Sequence, residues 1–416
     1  MNADADIVIV GSGPAGSTTA LLLARAGFDV LLVDRRTFPR AKPCGDCLSP
    51  QTSRLLHELG VLEAIHALRP ARLEGWRIVS PGGFSFSGRF REFTTDPLVS
   101  SAIAIERSRL DSTLLDAAKR AGARVWNRAH VTGVRAGAVT GNSRGQPFHV
   151  RARLVVGADG LRSVVARRLG MALPPRLRKL SLTAHVTGID MDDGLGEMHV
   201  GRGLCAGVAP VTAETTGTCN VTIVADSMPH GRSVAADPVA FLRAALASFP
   251  QLKQRVRHLD FAGARRTDGA PVLLASGPFD VPTRRTTGPG FALVGDAAGY
   301  FDPFTGQGVF QAMAGASLLA HEAGIALRTR AGILPALSRY EARHRALVRG
   351  CRLVQRMIDT ILARPGLADF AIRRLAAAAP ARNILLAVTG DLAPAHSVFA
   401  PAALLAFAGL TTEKSS

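Results

Sequence analysis

A short apolar run followed by a glycine-rich turn constrains the fold of this chain more than any other feature. Residues 6–10 read Asp-Ile-Val-Ile-Val, which predicts a buried parallel strand. The turn at 11–16, Gly-Ser-Gly-Pro-Ala-Gly, follows at once. Residues 17–26 then predict a helix, and residues 28–33 predict a second buried strand that ends at Asp34. This order of strand, turn, helix, strand and acid is typical of the first unit of a dinucleotide-binding α/β sheet.

The glycines of the turn have distinct physical roles in such a unit. Gly11 makes the tight turn, Gly13 lets the backbone approach a pyrophosphate, and Gly16 lets the helix pack closely on the strand. The helix presents its positive dipole end to the phosphates. Asp34, 18 residues after Gly16, is placed to accept a hydrogen bond from a ribose hydroxyl. The residues of the turn predicted to contact the dinucleotide are Gly11, Gly13, Pro14, Ala15 and Gly16.

Two later segments repeat the pattern of an apolar strand that ends at an acid flanked by glycine. Residues 153–159 read RLVVGAD, and residues 291–298 read FALVGDAA. Parallel strands bring their carboxyl ends to one edge of a sheet, where ligands bind in open α/β folds. Asp159 and Asp296 are therefore predicted to lie at the same edge.

With these three motifs in this order, the chain resembles the FAD-dependent superfamily that includes aromatic hydroxylases of the para-hydroxybenzoate hydroxylase type and geranylgeranyl reductases. The resemblance implies FAD as cofactor. It also implies an α/β fold in which a Rossmann-like FAD-binding domain of the glutathione reductase type carries an inserted antiparallel β-sheet substrate domain and a helical C-terminal region. The implied boundaries are residues 1–75, 100–170 and 280–330 for the discontinuous FAD-binding domain, 76–99 and 171–279 for the substrate domain, and 331–416 for the helical region.

The resemblance implies contacts with the adenosine half of FAD. Asp34 would bind the ribose with Arg35 close by, and Val131 lies where the chain of the family passes the adenine. Arg107, which heads a predicted helix, stands where the family has an FAD-contacting arginine. A surface charge in the first turn of that helix is the equally open alternative.

Other residues are implied contacts of the flavin half. Asp159 would touch FAD and the path of the pyridine nucleotide, and Asp296, which follows Gly295, would bind the ribityl chain. The loop at 303–308 would pass the isoalloxazine ring. Its amides would stabilise negative charge on reduced flavin as an oxyanion hole does. The implied contacts in this loop are Pro303, Gly306, Gln307 and Gly308.

The segment 42–46, Lys-Pro-Cys-Gly-Asp, resembles the geranylgeranyl reductase branch, in which this loop runs close to the flavin ring. Cys44 and Gly45 would then contact FAD. For Cys44, a catalytic role and a buried structural thiol are both open. The Cys44-x-x-Cys47 pair lacks the ligands of a zinc site, and no metal site is predicted. Residues 204–210 lack the aromatic stretch of prenyl reductases, and the Trp-x-Trp-x-Ile-Pro segment of flavin halogenases is absent, so both of these activities are disfavoured.

The charge balance is the compositional outlier. Lys and Arg number 50 against 32 Asp and Glu, which gives a net charge of +18. An anionic membrane surface or an acidic carrier protein is one reading, and a solvated arginine-rich face is the favoured one. Nucleic acid is not expected, because no recognition motif is present. Without a leader or an apolar run of about 18 residues, and with 5 Cys, a cytoplasmic protein is expected, with peripheral membrane association left open.

These features predict an FAD-dependent monooxygenase (a hydroxylase) that acts on an apolar aromatic or polyketide-like small molecule with O2. NAD(P)H would be a transient electron donor, because the chain has no second glycine motif after a strand. The alternative is a geranylgeranyl reductase-like ene-reductase or dehydrogenase that acts on a prenyl or polyene chain. A flavin-containing redox sensor without turnover is a third hypothesis.

Overall fold

The structure, a computed structural model, describes residues 3–191, 194–212, 217–262, 272–329 and 332–408. Its strands are β1 (Ala5–Val10), β2 (Val30–Val33), β3 (Cys47–Leu48), β4 (Ala71–Leu73), β5 (Gly75–Val79), β6 (Ser85–Arg89), β7 (Ala102–Ala104), β8 (Arg124–Trp126), β9 (Ala129–Arg135), β10 (Ala138–Ser143), β11 (Gln146–Gly157), β12 (Lys179–Thr187), β13 (Leu195–Gly201), β14 (Leu204–Pro210), β15 (Cys219–Asp226), β16 (Asp260–Ala262), β17 (Leu274–Ser276), β18 (Thr287–Gly288) and β19 (Phe291–Leu293).

Its α-helices are α1 (Pro14–Arg25), α2 (Pro50–Glu58), α3 (Leu62–His66), α4 (Arg107–Arg120), α5 (Val164–Arg168), α6 (Ser227–Ala236), α7 (Pro238–Ser248), α8 (Gly308–Thr329), α9 (Ile333–Leu362), α10 (Pro365–Ala377), α11 (Ala379–Thr389) and α12 (Pro401–Ala408). Helix α1 begins at Pro14, earlier than predicted, because the glycine turn feeds directly into its first turn. The longest of these helices, α9, lies in the region expected to be helical.

The first sheet has the strand order β18-β19-β11-β1-β2-β8, with the β9–β10 hairpin joined to β11. Strands β19, β11, β1, β2 and β8 run parallel. Strand β2 is apolar and buried throughout, as expected for a strand covered on both faces. Helices α1, α4, α8 and α9 form a layer on one face of this sheet. The predicted α/β fold is confirmed.

The second sheet has the strand order β16-β12-β15-β14-β13-β5-β6, with β17 on β12. All of its pairings are antiparallel except that of β13 with β5, which is parallel. Leu182 and Val186 of β12 face a core closed by α7. Apolar and polar residues alternate along β12, a pattern typical of a half-buried strand. Ser181 and Thr183 on the polar face are nevertheless buried, because that face turns toward the loop that contains Asp46.

The C-terminal helices cover one edge of the second sheet, where α10 and α11 pack on β6. A small third sheet of β3, β7 and β4 holds the chain that follows the loop at 42–46. Within the described ranges, no helix is both long and apolar enough to cross a membrane.

Candidate flavin and substrate site

Two glycines of the turn, Gly11 and Gly16, are tightly packed, whereas the third, Gly13, faces open space. Gly11 has φ +103°, and a Cβ there would lie 2.5 Å from the carbonyl oxygen of Ala158. A Cβ on Gly16 would lie 1.8 Å from the oxygen of Gly11, so only glycine fits. At Gly13 the nearest atom to a Cβ is an Arg40 nitrogen at 3.6 Å. Space is therefore free beside Gly13, where a pyrophosphate would approach.

Helix α1 starts at this open position without a side-chain cap. Gly13 is its N-cap residue, and Pro14 occupies the first helical position. The amides of the first turn are thus available to an anion. Arg40 adds positive charge, and its guanidinium lies 3.5 Å from Asp111 and beside the turn. The residues present fit the diphosphate of FAD.

Asp34 ties the turn to the end of β2. Its Oδ2 accepts a hydrogen bond from the amide of Ser12 at 2.7 Å, and its Oδ1 accepts one from the amide of Arg36 at 2.8 Å. Each carboxylate oxygen can accept a further hydrogen bond, so a ribose can still bind. Arg35 is exposed beside it, and Val131 is buried in β9.

The three motifs meet at one place, as the sequence predicted for parallel strand ends. A Cβ on Gly295 would lie 2.8 Å from Cβ of Ala15 in the first turn of α1. A Cβ on Gly11 would lie 2.7 Å from Cα of Asp159. The Asp296 carboxylate pairs with Lys42 Nζ at 3.4 Å, a partner that the sequence did not indicate.

The carboxylate of Asp159 is occupied by hydrogen bonds within the protein. Its oxygens accept hydrogen bonds from Ser163 Oγ at 2.5 Å and from the amides of Val164 at 2.6 Å and Val165 at 3.3 Å, at the start of α5. Burial raises the pKa of Asp159, and these hydrogen bonds oppose the rise. The backbone of Asp159 lies against the glycine turn, while its side chain holds α5 in place.

Arg107 is buried, with only 5% of its surface exposed, so it is not a surface charge. Its guanidinium makes two hydrogen bonds to Asp111, from Nε at 2.8 Å and from Nη2 at 2.9 Å. It also faces the Cys44 thiol. Burial raises the pKa of Cys44, and Arg107 opposes that shift without reversing it, so the thiol is protonated at neutral pH.

Asp46 is the hub of a buried polar cluster that the sequence analysis missed. It has φ +58° and is 2% exposed. It pairs with the backbone amide of Arg107 at 3.2 Å, Asn220 Nδ2 at 2.7 Å and His185 Nε2 at 2.6 Å. The same Asn220 nitrogen donates to the carbonyl of Cys44 at 2.8 Å. The loop at 42–46 is thereby fixed to the second sheet.

His185 connects this cluster to the interface between the sheets. Burial lowers the pKa of His185, the hydrogen bond and charge of Asp46 raise it, and the net shift is upward. The alternation along β12 was the signal that places His185 on the same face as Ser181 and Thr183. It does not show which residue that face meets.

A cavity of about 110 Å³, here called the inner cavity, lies between the second sheet and the two loops predicted at the flavin ring. Its wall is mostly apolar, and Gly45 and Cys47 border it on one side and Pro303 and Gly306 on another. Gly306 has φ +70°, and neither Gly45 nor Gly306 has an atom within 4 Å of a Cβ position. Both loops thus leave room for a flat ring.

An outer cavity of about 480 Å³ adjoins the inner one. The two share four lining residues, which are Cys205, Val224, Phe304 and Thr305. In the outer cavity, Lys179 forms ion pairs with Asp302 and Asp359. The two cavities therefore lie side by side and share part of their walls.

The C-terminal region completes the site. Gln307 Nε2 donates hydrogen bonds to Asp391 Oδ1 at 2.6 Å and to the carbonyl of Val388 at 3.0 Å. Burial raises the pKa of Asp391 to about 7, and the hydrogen bond from Gln307 opposes the rise. Gly308 begins α8 with the Tyr300 ring 3.6 Å from its Cβ position. Across the described ranges, no cluster of three or more His, Cys, Asp or Glu is arranged to hold a metal ion.

Comparison with known proteins agrees with this geometry. Residues 4–207 match the FAD binding domain family. The chain is 30% identical over 339 residues to menaquinone reductase of Mycolicibacterium smegmatis, with 74% of each protein covered. It is 27% identical over 343 residues to digeranylgeranylglycerophospholipid reductase 1 of Methanothermobacter thermautotrophicus, with 79% of each covered.

A third relative is longer than this chain. Conditioned medium factor receptor 1 of Dictyostelium discoideum is 29% identical over 338 residues, which cover 75% of this chain and 62% of that protein. The chain therefore spans less than two thirds of that relative.

Solved structures share the fold. A geranylgeranyl bacteriochlorophyll reductase-like protein from Thermoplasma acidophilum superposes with a TM-score of 0.74 at 22% identity, covering 89% of this chain and 91% of the other. The myxobacterial chondrochloren halogenase gives a TM-score of 0.75 at 23% identity, covering 82% and 79%. At these identities the likeness shows the fold alone.

Proposed function

Because the chain belongs to the family of FAD-dependent oxidoreductases that includes the menaquinone reductase of Mycolicibacterium smegmatis, we propose that it reduces a carbon–carbon double bond of an apolar, chain-like substrate. The observation that carries this proposal is the pair of adjoining cavities, the inner of which borders the loop at 42–46. The sequence favoured monooxygenation; the relatives named as reductases support the reductase as the first proposal here.

The chain would hold FAD along the edge where the three motifs meet. Gly13 and the start of α1 would bind the diphosphate, and Asp34 the adenosine ribose. Asp296 and Lys42 lie where the ribityl chain would pass. When bound, FAD supplies the hydride; NAD(P)H, as a transient donor, would replenish it.

Reduction of a double bond also requires a proton on the second carbon. The protein holds two partly buried thiols beside the site, Cys44 facing Arg107 and Cys47 lining the inner cavity. Burial raises the pKa of both, so each carries its proton at neutral pH. Cys44 is the proposed proton donor, because the Cys47 thiol already donates its hydrogen to the carbonyl of Gly45 at 3.2 Å. The bond from Asn220 Nδ2 to the Cys44 carbonyl fixes the loop that carries the Cys44 thiol. The donor returns to its thiol form by taking a proton from solvent.

An anaerobic experiment tests the proposal. The FAD-loaded protein is reduced with one equivalent of NADPH or NADH and mixed with menaquinone or a polyprenyl lipid in detergent. We expect the flavin to reoxidise and the lipid to gain two hydrogen atoms. In Cys44→Ala the product yield should fall at least tenfold, whereas Cys219→Ala, which removes a thiol from the core beneath α7, serves as the matched control. Unchanged yield, flavin spectrum and reduction rate in Cys44→Ala would remove Cys44 from the mechanism.

The second candidate is monooxygenation of an aromatic or polyketide-like molecule with O2. The apolar wall of the inner cavity favours it, because oxygen transfer needs a site that excludes water. Rapid mixing of the reduced protein with O2 distinguishes the two reactions. A transient absorbance that precedes oxidised flavin, followed by a product with one added oxygen atom, supports the hydroxylase and contradicts the reductase.

A further inference from the structure

Apolar side chains are concentrated on the outer surface of the C-terminal helices. Seven of the twelve exposed large apolar side chains in the described ranges fall within residues 332–408. Helix α12 consists only of Pro, Ala, Leu and Phe, and Leu404 and Leu405 on it are 53% and 45% exposed. A water-soluble surface rarely groups such residues without a partner.

Several of these side chains lie on adjoining helices. Helix α12 packs on α10 and α11, and its Phe407 ring meets the ring of Phe370 at 6.3 Å. Arg374 fixes the contact by donating to the Phe407 carbonyl at 2.8 Å. We call the following five residues the C-terminal apolar patch: Leu367, Phe370, Phe399, Leu404 and Leu405.

The C-terminal region that carries the patch has an excess of positive charge. Residues 332–408 contain ten Arg, no Lys and four acidic residues. All four acids bind inward: Glu341 accepts from the amide of Thr286, Asp359 pairs with Lys179, Asp369 accepts from the amide of Gly82, and Asp391 accepts from Gln307. The outward charge of this region is therefore carried by arginine.

Three exposed arginines, Arg349, Arg364 and Arg373, have no carboxylate partner within the described ranges. Arg364 donates to the carbonyl of Thr360, and Arg373 lies over the Phe84 ring at 4.8 Å. Long arginine side chains can lie along an apolar surface while their guanidinium groups meet phosphates.

We propose that the C-terminal apolar patch and these arginines dock the protein on an anionic lipid bilayer. Exposed apolar side chains together with arginines that have no carboxylate partner are the chemistry of an interfacial membrane anchor. An acidic protein partner suits the surface less well, because α12 offers no side chain that could form a hydrogen bond. The proposal of membrane docking depends only on this surface. Delivery of a lipid substrate to the site rests in addition on the proposed reductase function.

The patch lies close in the chain to residues that line the outer cavity, so docking would bring this cavity near the bilayer. The outer cavity is lined by Leu362 and Ala363, which directly precede Arg364 and the start of α10. The exposed Met228 lies on another wall of the same cavity. One wall of the outer cavity thus directly precedes α10, the helix that carries Leu367 and Phe370 of the patch.

Vesicle binding of the FAD-loaded protein tests the proposal. Vesicles of phosphatidylcholine alone are compared with vesicles that contain equal parts of phosphatidylcholine and phosphatidylglycerol. We expect co-sedimentation with the anionic vesicles that weakens as salt rises. The double variant Leu404→Ser/Leu405→Ser should lower the partition coefficient on the order of tenfold. Arg349→Gln and Arg364→Gln should each lower it roughly fivefold.

The matched control is Ile325→Ser, because Ile325 is 46% exposed on α8, outside the patch. Its partition should stay within about twofold of wild type. Retained FAD absorbance and thermal midpoint show that the variants fold, and Phe370→Ser provides a second patch variant. Absence of binding to anionic vesicles overturns the proposal, as does a loss of self-association in the leucine variant with unchanged vesicle binding. If the protein binds anionic vesicles but does not reduce a lipid embedded in them, the docking proposal is supported and the proposed reductase function is contradicted.

Discussion

Replacing Gly13 with alanine should weaken FAD binding while leaving the stability of the apoprotein almost unchanged. Gly13 has φ −74°, which alanine adopts without strain, and the added methyl group would have only Arg40 Nη2 at 3.6 Å as a neighbour. The apoprotein should therefore keep its stability within about 0.5 kcal/mol. A bound diphosphate, however, must approach this backbone to hydrogen-bond distance, and the methyl group would occupy that space.

The affinity cost follows from the hydrogen bonds that the diphosphate would lose. Loss of one or two charge-assisted bonds, at about 1.5–3 kcal/mol each, raises the Kd for FAD by roughly 10- to 10,000-fold. Titration of apoprotein with FAD, followed by quenching of flavin fluorescence, measures the Kd, and thermal unfolding of the apoprotein checks the fold. Gly366→Ala is the matched control, because a Cβ there meets no atom within 4 Å and lies far from the glycine turn in sequence. A Kd for Gly13→Ala within threefold of wild type would refute this placement of the diphosphate.

Three further predictions concern the packing and the polar contacts of the site. Gly16→Ala should prevent stable folding, since its Cβ would lie 1.8 Å from the Gly11 oxygen; soluble yield and circular dichroism measure this, and a native-like variant would contradict it. Asn220→Ala should cost about 2–3 kcal/mol in unfolding free energy, because it removes the donor shared by Asp46 and the Cys44 carbonyl, and it should slow flavin reoxidation by substrate; unchanged urea midpoints and rates would count against it. Burial raises the folded-state pKa of Asp391 from 3.8 to about 7, so its contribution to stability is full below about pH 4 and is lost as pH rises through 7. The stability difference between wild type and Asp391→Asn should shift by a few kcal/mol against wild type from pH 4 to pH 8, and a pH-independent difference in urea unfolding would overturn this assignment.

The sequence predicted the parts of the site whose signals are local. The glycine spacing at 11–16 fixes a turn geometry that few other residues allow, and the apolar runs that end at Asp159 and Asp296 fix the sheet edge where they lie. Arg107 was left between two roles, although Asp111 four residues later was a local signal of the ion pair that buries it.

Contacts between distant segments had no such signal. Asp46 meets His185 and Asn220 across 139 and 174 residues, and Gln307 meets Asp391 across 84. Strand alternation places a side chain on one face of a sheet, but it contains no information about which loop covers that face. The packing of the two sheets and of the C-terminal helices decides these pairs.

The mass of the product after a single turnover tests the central claim most directly. FAD-loaded protein, reduced with NADPH carrying deuterium at the transferable position, is mixed with menaquinone without oxygen and again in air. The expected product is the same lipid in both cases, with one deuterium and one hydrogen from solvent added across a double bond of its chain. Deuterium should appear on one carbon, passed on by way of the flavin. A product that forms only in air and contains one added oxygen atom would contradict it.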